Sequence, residues 1–261
     1  MIELFGQNRG VLTPLFSHTK KTMVLSCLQG HMGRAFADDA GVPSCAQLFI
    51  GDFCFFAGDS SRAQAAEFAR HIPPEFSSSV LLAIPLSEGW GALIEQAHPG
   101  RGEKITRYAI KKELDVFDKA HLAQLVSGLP QGFAIKRIDK RLAGRCMEQE
   151  FSRDFCSQFD SPEDYERRGL GYCALHDGRL VAGASSYTVY DGGIEIEVDT
   201  HPEFRRRGLA AACAARLILA CLEQGRYPSW DAANLESVAL SEKLGYHFDY
   251  AYDTYAIDCD R

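Results

Sequence analysis

The sequence predicts an α/β (α+β) protein with a mixed, mostly antiparallel sheet, and three observations predict it. Three short apolar and β-branched runs follow one another over residues 172–200, separated by Asp177-Gly178 and Gly192-Gly193, dipeptides that favour tight hairpin turns. A cationic, glycine-containing loop, His201-Pro202-Glu203-Phe204-Arg205-Arg206-Arg207-Gly208-Leu209-Ala210, then opens an alanine-rich stretch of helical periodicity. Alternating strand and helix patterns of the same kind fill the first half of the chain.

In order along the chain, residues 46–50 and 53–56 flank Gly51-Asp52 as a hairpin. Residues 62–71 read as a helix, 80–85 as a strand, 88–96 as a helix and 105–111 as a strand. Ser127-Gly128-Leu129-Pro130-Gln131-Gly132 is rich in turn formers and places a domain boundary between residues 1–128 and 129–261. Beyond it comes a strand at 133–138, then the three-strand meander at 172–175, 180–188 and 194–200. Leu209, Cys213, Leu217 and Cys221 recur every four residues and predict a helix over 208–223. A strand at 229–232, a helix capped by Asn234 and closed by Gly245, and an alternating aromatic and polar strand at 246–258 complete the chain.

Composition is that of a globular protein: 261 residues, 46% hydrophobic, 24% charged and a net charge of −7. The apolar stretch around 209–222 is interrupted by Arg216 and is shorter than the ~18 residues a membrane span needs. The N-terminus lacks the basic flank and apolar run of a secretory signal. Nine cysteines with no C-x-x-C pair predict reduced thiols, a cytoplasmic location and no metal site. Cys213 and Cys221 lie on the apolar seam of their helix and read as core. The arginine cluster is short, the chain is acidic and no aromatic stripe accompanies the arginines, so no nucleic-acid partner is expected.

Two segments carry chemistry. The first turn of a helix leaves backbone N–H groups without intrahelical partners and adds partial positive charge, and Gly208 with Ala210 lets a ligand approach the backbone closely. A run of three arginines is in general a solvated surface, but at this helix start it reads as a diphosphate site. Just upstream, Ile194-Glu195-Ile196-Glu197-Val198-Asp199-Thr200 alternates apolar residues with three carboxylates, so one face of that strand is core and the other acidic. Such carboxylates attract a cationic amine and, with pKa values raised by like neighbours, can take its proton.

Arg205-Arg206-Arg207-Gly208-Leu209-Ala210 resembles the R/Q-x-x-G-x-G/A pyrophosphate loop of the GNAT superfamily of acyl-CoA-dependent N-acyltransferases, with Ala210 in place of the second glycine. Asn234-x-x-Ser237 followed by Glu242-Lys243-Leu244-Gly245-Tyr246 resembles that family's C-terminal helix signature. The wider pattern, with Gly183-Ala184-Ser185-Ser186-Tyr187 and Trp230-Asp231, is similar to zwittermicin A resistance proteins. The resemblance implies a GNAT fold over 129–261, acetyl-CoA as acyl donor and a small-molecule amine as acceptor. It implies that Arg205, Arg206, Arg207, Gly208, Leu209 and Ala210 hold the diphosphate. Val198, Asp199 and Thr200 would meet the acetyl carbonyl and pantetheine amides, with Asn234 and Ser237 near the CoA arm. Asn234 as a plain helix cap is the structural alternative.

The catalytic candidates are Glu195 and Glu197 as bases and Ser241, which stands where many family members carry an acidic tyrosine. Either Ser241 holds a water, or Tyr246 or Tyr252 donates, or the thiolate leaves unassisted. Residues 1–128 follow the element order of the second half of a GNAT fold. They are expected to form a degenerate copy that does not bind CoA, because Asp59 in Gly58-Asp59-Ser60-Ser61-Arg62 opposes a diphosphate, and that instead covers the second domain's sheet or walls its cleft. The expected activity is direct acetyl transfer to a primary amine of a small polar molecule, such as an aminopolyol-type antibiotic, by a monomer or homodimer. The alternative is a catalytically silent acyl-CoA-binding sensor or scaffold.

Overall fold

The computed structural model describes residues 1–260, which form two compact units. The first comprises Met1–Arg107 together with the described chain from Ala251 onward. Its elements are β1 (Ile2–Leu4), α1 (Thr22–Leu28), β2 (Arg34–Ala37), β3 (Cys45–Ile50), β4 (Phe53–Gly58), α2 (Ala65–Arg70), β5 (Val80–Pro85), α3 (Glu88–Ala97) and β6 (Gly102–Ile110). Strands β1 to β4 are antiparallel neighbours, whereas β4 and β5 run parallel, with α2 in the connection between them. Phe56, Phe68, Trp90 and Ile94 fill the core where α2 and α3 meet the sheet. Helix α2 is shorter than the predicted 62–71, because the Asp59 carboxylate ties down the Ser61 N–H at 3.0 Å and holds the preceding residues in a turn. Neither α1, β1 nor β2 carries a strong periodic signal, and the sequence reading has no counterpart for them.

The second unit, Tyr108–Tyr250, contains α4 (Lys119–Ser127), β7 (Phe133–Arg137), α5 (Lys140–Met147), α6 (Pro162–Arg168), β8 (Gly171–His176), β9 (Arg179–Tyr190), β10 (Gly193–Thr200), α7 (Leu209–Glu223), β11 (Tyr227–Ser229), β12 (Asp231–Ala232) and α8 (Leu235–Lys243). The last strand, β13 (Phe248–Asp258), begins here and ends in the first unit. There it lies between β5 and β6, with Tyr255–Asp258 antiparallel to β5. The units therefore divide at Arg107 and Tyr108, not at the expected 128/129. Helix α4 belongs with the second unit because it packs on α7 and buries Leu122 completely.

The sheet of the second unit has the order β11-β10-β9-β8-β7 and is antiparallel except for the parallel pair β10–β11. Helix α7 packs across β8, β9, β10 and β11 through Leu209, Cys213, Leu217 and Cys221, all at 0–1% exposure, as their spacing requires. The hairpin turns fall as predicted, with Asp177 and Gly178 both left-handed at φ 49° and 74°. Helices α4, α5 and α6 are capped by Asp118, Asp139 and Ser161, whose side chains accept main-chain N–H bonds. The single strand expected over 229–232 is two strands in different pairings. Trp230 interrupts it, its ring 93% buried against Tyr246 and its Nε1–H donating to Ser237 Oγ at 3.0 Å.

Gly193 sits where β10 meets β11, and a Cβ there would lie 2.5 Å from the Tyr227 carbonyl oxygen. Main chain cannot yield as a flexible side chain can, so Gly193→Ala is expected to destabilise the protein by roughly 1–3 kcal/mol, read as a lower urea midpoint with an unchanged slope.

Candidate functional site

Strand β10 is paired along its whole length with β9, from Gly193 opposite Tyr190 to Thr200 opposite Ala182. On its other side it pairs with β11 at Gly193, Ile194 and Glu195 alone. From residue 196 to 200 that edge has no strand beside it among the described residues, so the N–H and C=O groups on that side have no strand partner. The register shifts between Glu195 and Ile196, and Tyr187 is the extra residue on β9. Because the extra residue lies on β9, alternation along β10 is kept. Glu195, Glu197 and Asp199 share one face, as predicted.

That face is not a solvated surface. Glu195 is only 5% exposed, while Glu197 and Asp199 are half-buried. Thr188 and Ser229 lie opposite Glu195 on the neighbouring strands, and Tyr190 crosses over Gly193 to bring its hydroxyl 2.9 Å from Ser229 Oγ. Burial pushes the Tyr190 phenol up to about 12, and the Glu195 carboxylate nearby adds to the rise. The same two causes raise Tyr227 and Tyr246. Further along, Ser185, opposite Glu197, donates to the Phe155 carbonyl at 2.6 Å and receives the Tyr165 hydroxyl at 2.7 Å. The turn of 3₁₀ helix Glu150–Phe155 thus covers this face near the acidic residues. Burial also raises the Asp199 carboxyl, an effect opposed by the Thr200 N–H at 2.6 Å and by Arg205.

Beyond Thr200 the chain makes a short 3₁₀ turn, Pro202–Phe204, and reaches the arginines. Arg205 Nε donates back to the Thr200 carbonyl at 3.2 Å, and the guanidinium groups of Arg179 and Arg207 flank the Phe204 ring at 5.6 and 5.2 Å. Arg206 and Gly208 both adopt left-handed conformations, φ 63° and 78°. Only two described non-glycine residues do so, and the other is the hairpin residue Asp177. Gly208 caps α7, and a Cβ there would meet nothing within 4 Å. The first intrahelical bond runs from Ala212 N–H to Gly208 O at 3.0 Å. The amides of Leu209, Ala210 and Ala211 therefore point out of the helix end, and with the exposed Arg205, Arg206 and Arg207 they fit a diphosphate.

The structure places Glu195, Glu197, Val198, Asp199 and Thr200 on one strand, β10, whose end leads through a short turn to Arg205–Ala210 at the start of α7. Asn234 and Ser237 have structural partners: Asn234 Oδ1 accepts the Ser237 N–H at 2.9 Å as the cap of α8, and Ser237 Oγ accepts from Trp230. Ser241 is fully buried and its hydroxyl donates to the Val238 carbonyl at 2.8 Å. Tyr246, one of the two alternative donors with Tyr252, is 2% exposed and donates to the Pro228 carbonyl at 2.6 Å. Both protons are committed to the main chain. Cys213 and Cys221 are buried, with Cys221 pushed up to about 12 by desolvation, as expected of core thiols. Thr188, Tyr190 and Ser229 carry no local motif, and only the strand register reveals their place beside Glu195.

A sequence model described as GNAT acetyltransferase matches residues 13–255, and the chain belongs to that family. An uncharacterized N-acetyltransferase of Bacillus subtilis (strain 168), YdfB, is 28% identical over 243 residues, 90% of this chain and 89% of that one. The crystal structure of a GCN5-related N-acetyltransferase-like protein from Streptococcus suis 89/1591 superposes with a TM-score of 0.87 at 40% identity, over 97% of this chain and 100% of that one. A tandem GNAT protein from the clavulanic acid biosynthesis pathway shares the fold at 14% identity, with a TM-score of 0.57 over 100% and 98% of the two chains. The protein is thus an acetyltransferase of mixed α/β GNAT fold. Among the described residues no helix is long and apolar enough to cross a membrane, and no cluster of three His, Cys, Asp or Glu is placed to hold a metal.

Holding an L-residue left-handed costs about 1–2 kcal/mol. Arg206→Gly is therefore expected to be more stable than Arg206→Ala by roughly 1 kcal/mol, a difference that paired urea unfolding curves measure.

Proposed function

We propose that the protein transfers an acetyl group directly from acetyl-CoA to the primary amine of a small polar molecule. The observation that carries this reading is the parting of β10 from β11 after Glu195, which leaves a strand edge lined by carboxylates leading to an arginine-rich helix N-terminus. Leu209–Ala211 amides and the Arg205–Arg207 side chains hold the diphosphate. Main-chain groups of Val198, Asp199 and Thr200 on the open edge pair with the amide-bearing arm as an added strand would.

Glu197 is the base in this reading. It is half-buried at the open part of β10, where an amine can reach it directly or through one water, while Glu195 lies deeper among tyrosines and supplies negative field. Glu197 takes a proton from the ammonium, the freed lone pair attacks the thioester carbonyl, the C–S bond breaks to give the thiolate, and the surplus proton on the acylated nitrogen passes to water. With Ser241 and Tyr246 committed to carbonyls, the thiolate leaves without a donor from either. The acidic strand favours a cationic acceptor, and an aminopolyol-type antibiotic, as the likeness to zwittermicin A resistance proteins suggests, has that character. Nine free cysteines, eight of them buried, suit a cytoplasmic enzyme. Asn234 acts as a cap, with Ser237 beside it.

The first unit is proposed to be a degenerate GNAT-like copy that does not take CoA. Its parallel pair β4–β5 is matched over four successive residues that are apolar or cysteine, Phe53 to Phe56, and the Asp59 carboxylate, held low by Ser61, stands at the end of β4. Neither an acidic slot nor a cationic helix end is present in that pair.

The test is release of free thiol from acetyl-CoA across aminopolyols, aminoglycosides, polyamines and amino acids. With the best acceptor, Glu197→Gln is expected to lower kcat by roughly 10²–10⁴-fold while CoA affinity by calorimetry stays unchanged. Arg206→Ala with Arg207→Ala is expected to weaken CoA by about tenfold or more. Measurable CoA affinity with no thiol release for any amine would favour the silent sensor.

A further inference from the structure

Outside the strand-and-loop site, the first unit holds a cavity of about 420 Å³ lined by Met1, Glu3, Phe36, Glu67, Arg70 and His71. That size falls within the range of small-ligand sites, about 300–1,000 Å³. The hydrogen-bonding sense of its histidine is fixed from behind. Gln47 is fully buried on β3 and donates through Nε2 to the main-chain carbonyl of His71 at 3.2 Å. A carbonyl can only accept, so the amide is oriented, and its Oε1, 2.8 Å from His71 Nδ1, must receive the proton that Nδ1 carries. Burial, reinforced by the Arg34 guanidinium, holds the imidazole pKa below its ordinary value. A neutral imidazole carries one N–H, so His71 Nε2 is a bare acceptor. Phe36 and Phe49 pack edgewise on the ring at 4.7 and 6.1 Å and fix its plane.

The charges around this acceptor are sorted. Glu3 is engaged by Arg34 at 2.7 Å, and Arg34 is shared with Glu75. Glu67 and Arg70, one turn apart on α2, have no salt-bridge partner among the described residues. The cavity therefore offers the Glu67 carboxylate, the Arg70 guanidinium and one imidazole acceptor beside the apolar ring of Phe36, with Met1, whose α-ammonium adds to the lowering at His71, also in the lining. We propose that it binds a free α-amino acid. The ammonium meets Glu67 and His71 Nε2, the carboxylate takes the Arg70 fork, and the side chain packs on Phe36. Arg70 also borders a groove lined by His98 and Arg101, which a simple anion would favour over the zwitterion.

The experiment is calorimetric titration of the whole protein with each of the twenty amino acids, and with acetate, ethylamine and inorganic phosphate as single-charge probes. One or more amino acids should bind at one site per chain, with the single-charge probes failing to compete. Glu67→Gln and Arg70→Ala, both exposed positions that leave the core intact, should each weaken that binding by about tenfold, the scale of a charge-assisted contact. CoA affinity should be unchanged in both. Failure of all twenty to bind, phosphate or acetate binding as tightly as the best of them, or wild-type affinity in both variants would overturn the proposal. The readout is binding, so it stands or falls apart from the acetyl-transfer reading.

Discussion

Strand β10 has a partner along its whole length on one side and for three residues on the other, and this asymmetry shapes the second unit. Unpaired peptide groups inside a protein are costly, so something must hold the strands apart. Trp230 follows β11 directly and buries its ring against Tyr246, while its indole N–H reaches Ser237 on α8. Continuing β11 alongside β10 would pull that ring out of the core. On the other flank, β9 and α7 fix β10 from behind, so it cannot swing across to close the gap. The parting of the two strands is thus a consequence of core packing on both sides, and on the reading proposed above the amide-bearing arm of the acyl donor satisfies the edge.

Charge is graded along residues 195–207. Glu195 sits deep, Glu197 and Asp199 are half-buried, and after Thr200 the sign reverses to three exposed arginines. Arg205 spans the reversal by donating to the Thr200 carbonyl and lying 3.8 Å from Asp199. A chain of net charge −7 repels anions at long range, so on the reading proposed above a local cationic end on an acidic strand selects a donor that carries both a diphosphate and a neutral amide arm. The left-handed Arg206 indicates where strain is stored. Only a surrounding structure that over-determines the loop keeps such a residue in place, and on either side of Arg206 the chain is tied down, by the Arg205 bond to the Thr200 carbonyl and by the Arg207 guanidinium over the Phe204 ring.

Much of this was legible in the sequence because it depends on local rules. The Asp177-Gly178 turn, the four-residue spacing in α7, the cap at Asn234 and the left-handed Gly245 each follow from backbone preferences within a few residues. The alternation of β10 predicted a shared acidic face but not its burial, to which the tyrosines around Glu195 and the Glu150–Phe155 segment, about forty residues upstream, both contribute. Ser241 illustrates the same limit. Its place in the motif suggested chemistry, whereas its exposure and its bond to Val238 are set by how α8 packs. The division at Arg107 was hidden because β13 lies beside β5, a contact between distant parts of the chain that no window of sequence contains.

The two parallel strand pairs show what distinguishes a slot from a closed sheet. In β10–β11 the pairing stops beside a glutamate and is followed by an aromatic ring that turns the chain away. In β4–β5 the residues Phe53, Cys54, Phe55 and Phe56 are all buried at 7% exposure or less and stay in register to Pro85. With no buried charge to solvate and no open edge to satisfy, that pair gains most by closing. On the reading proposed above its following loop has no diphosphate to hold, and the exposed Asp59 carboxylate accepts from the Ser61 N–H and hydroxyl instead. On the reading proposed above, sealing that slot released the first unit from CoA binding, so polar groups elsewhere in it, such as the Gln47–His71 pair, were free to be arranged around a different molecule.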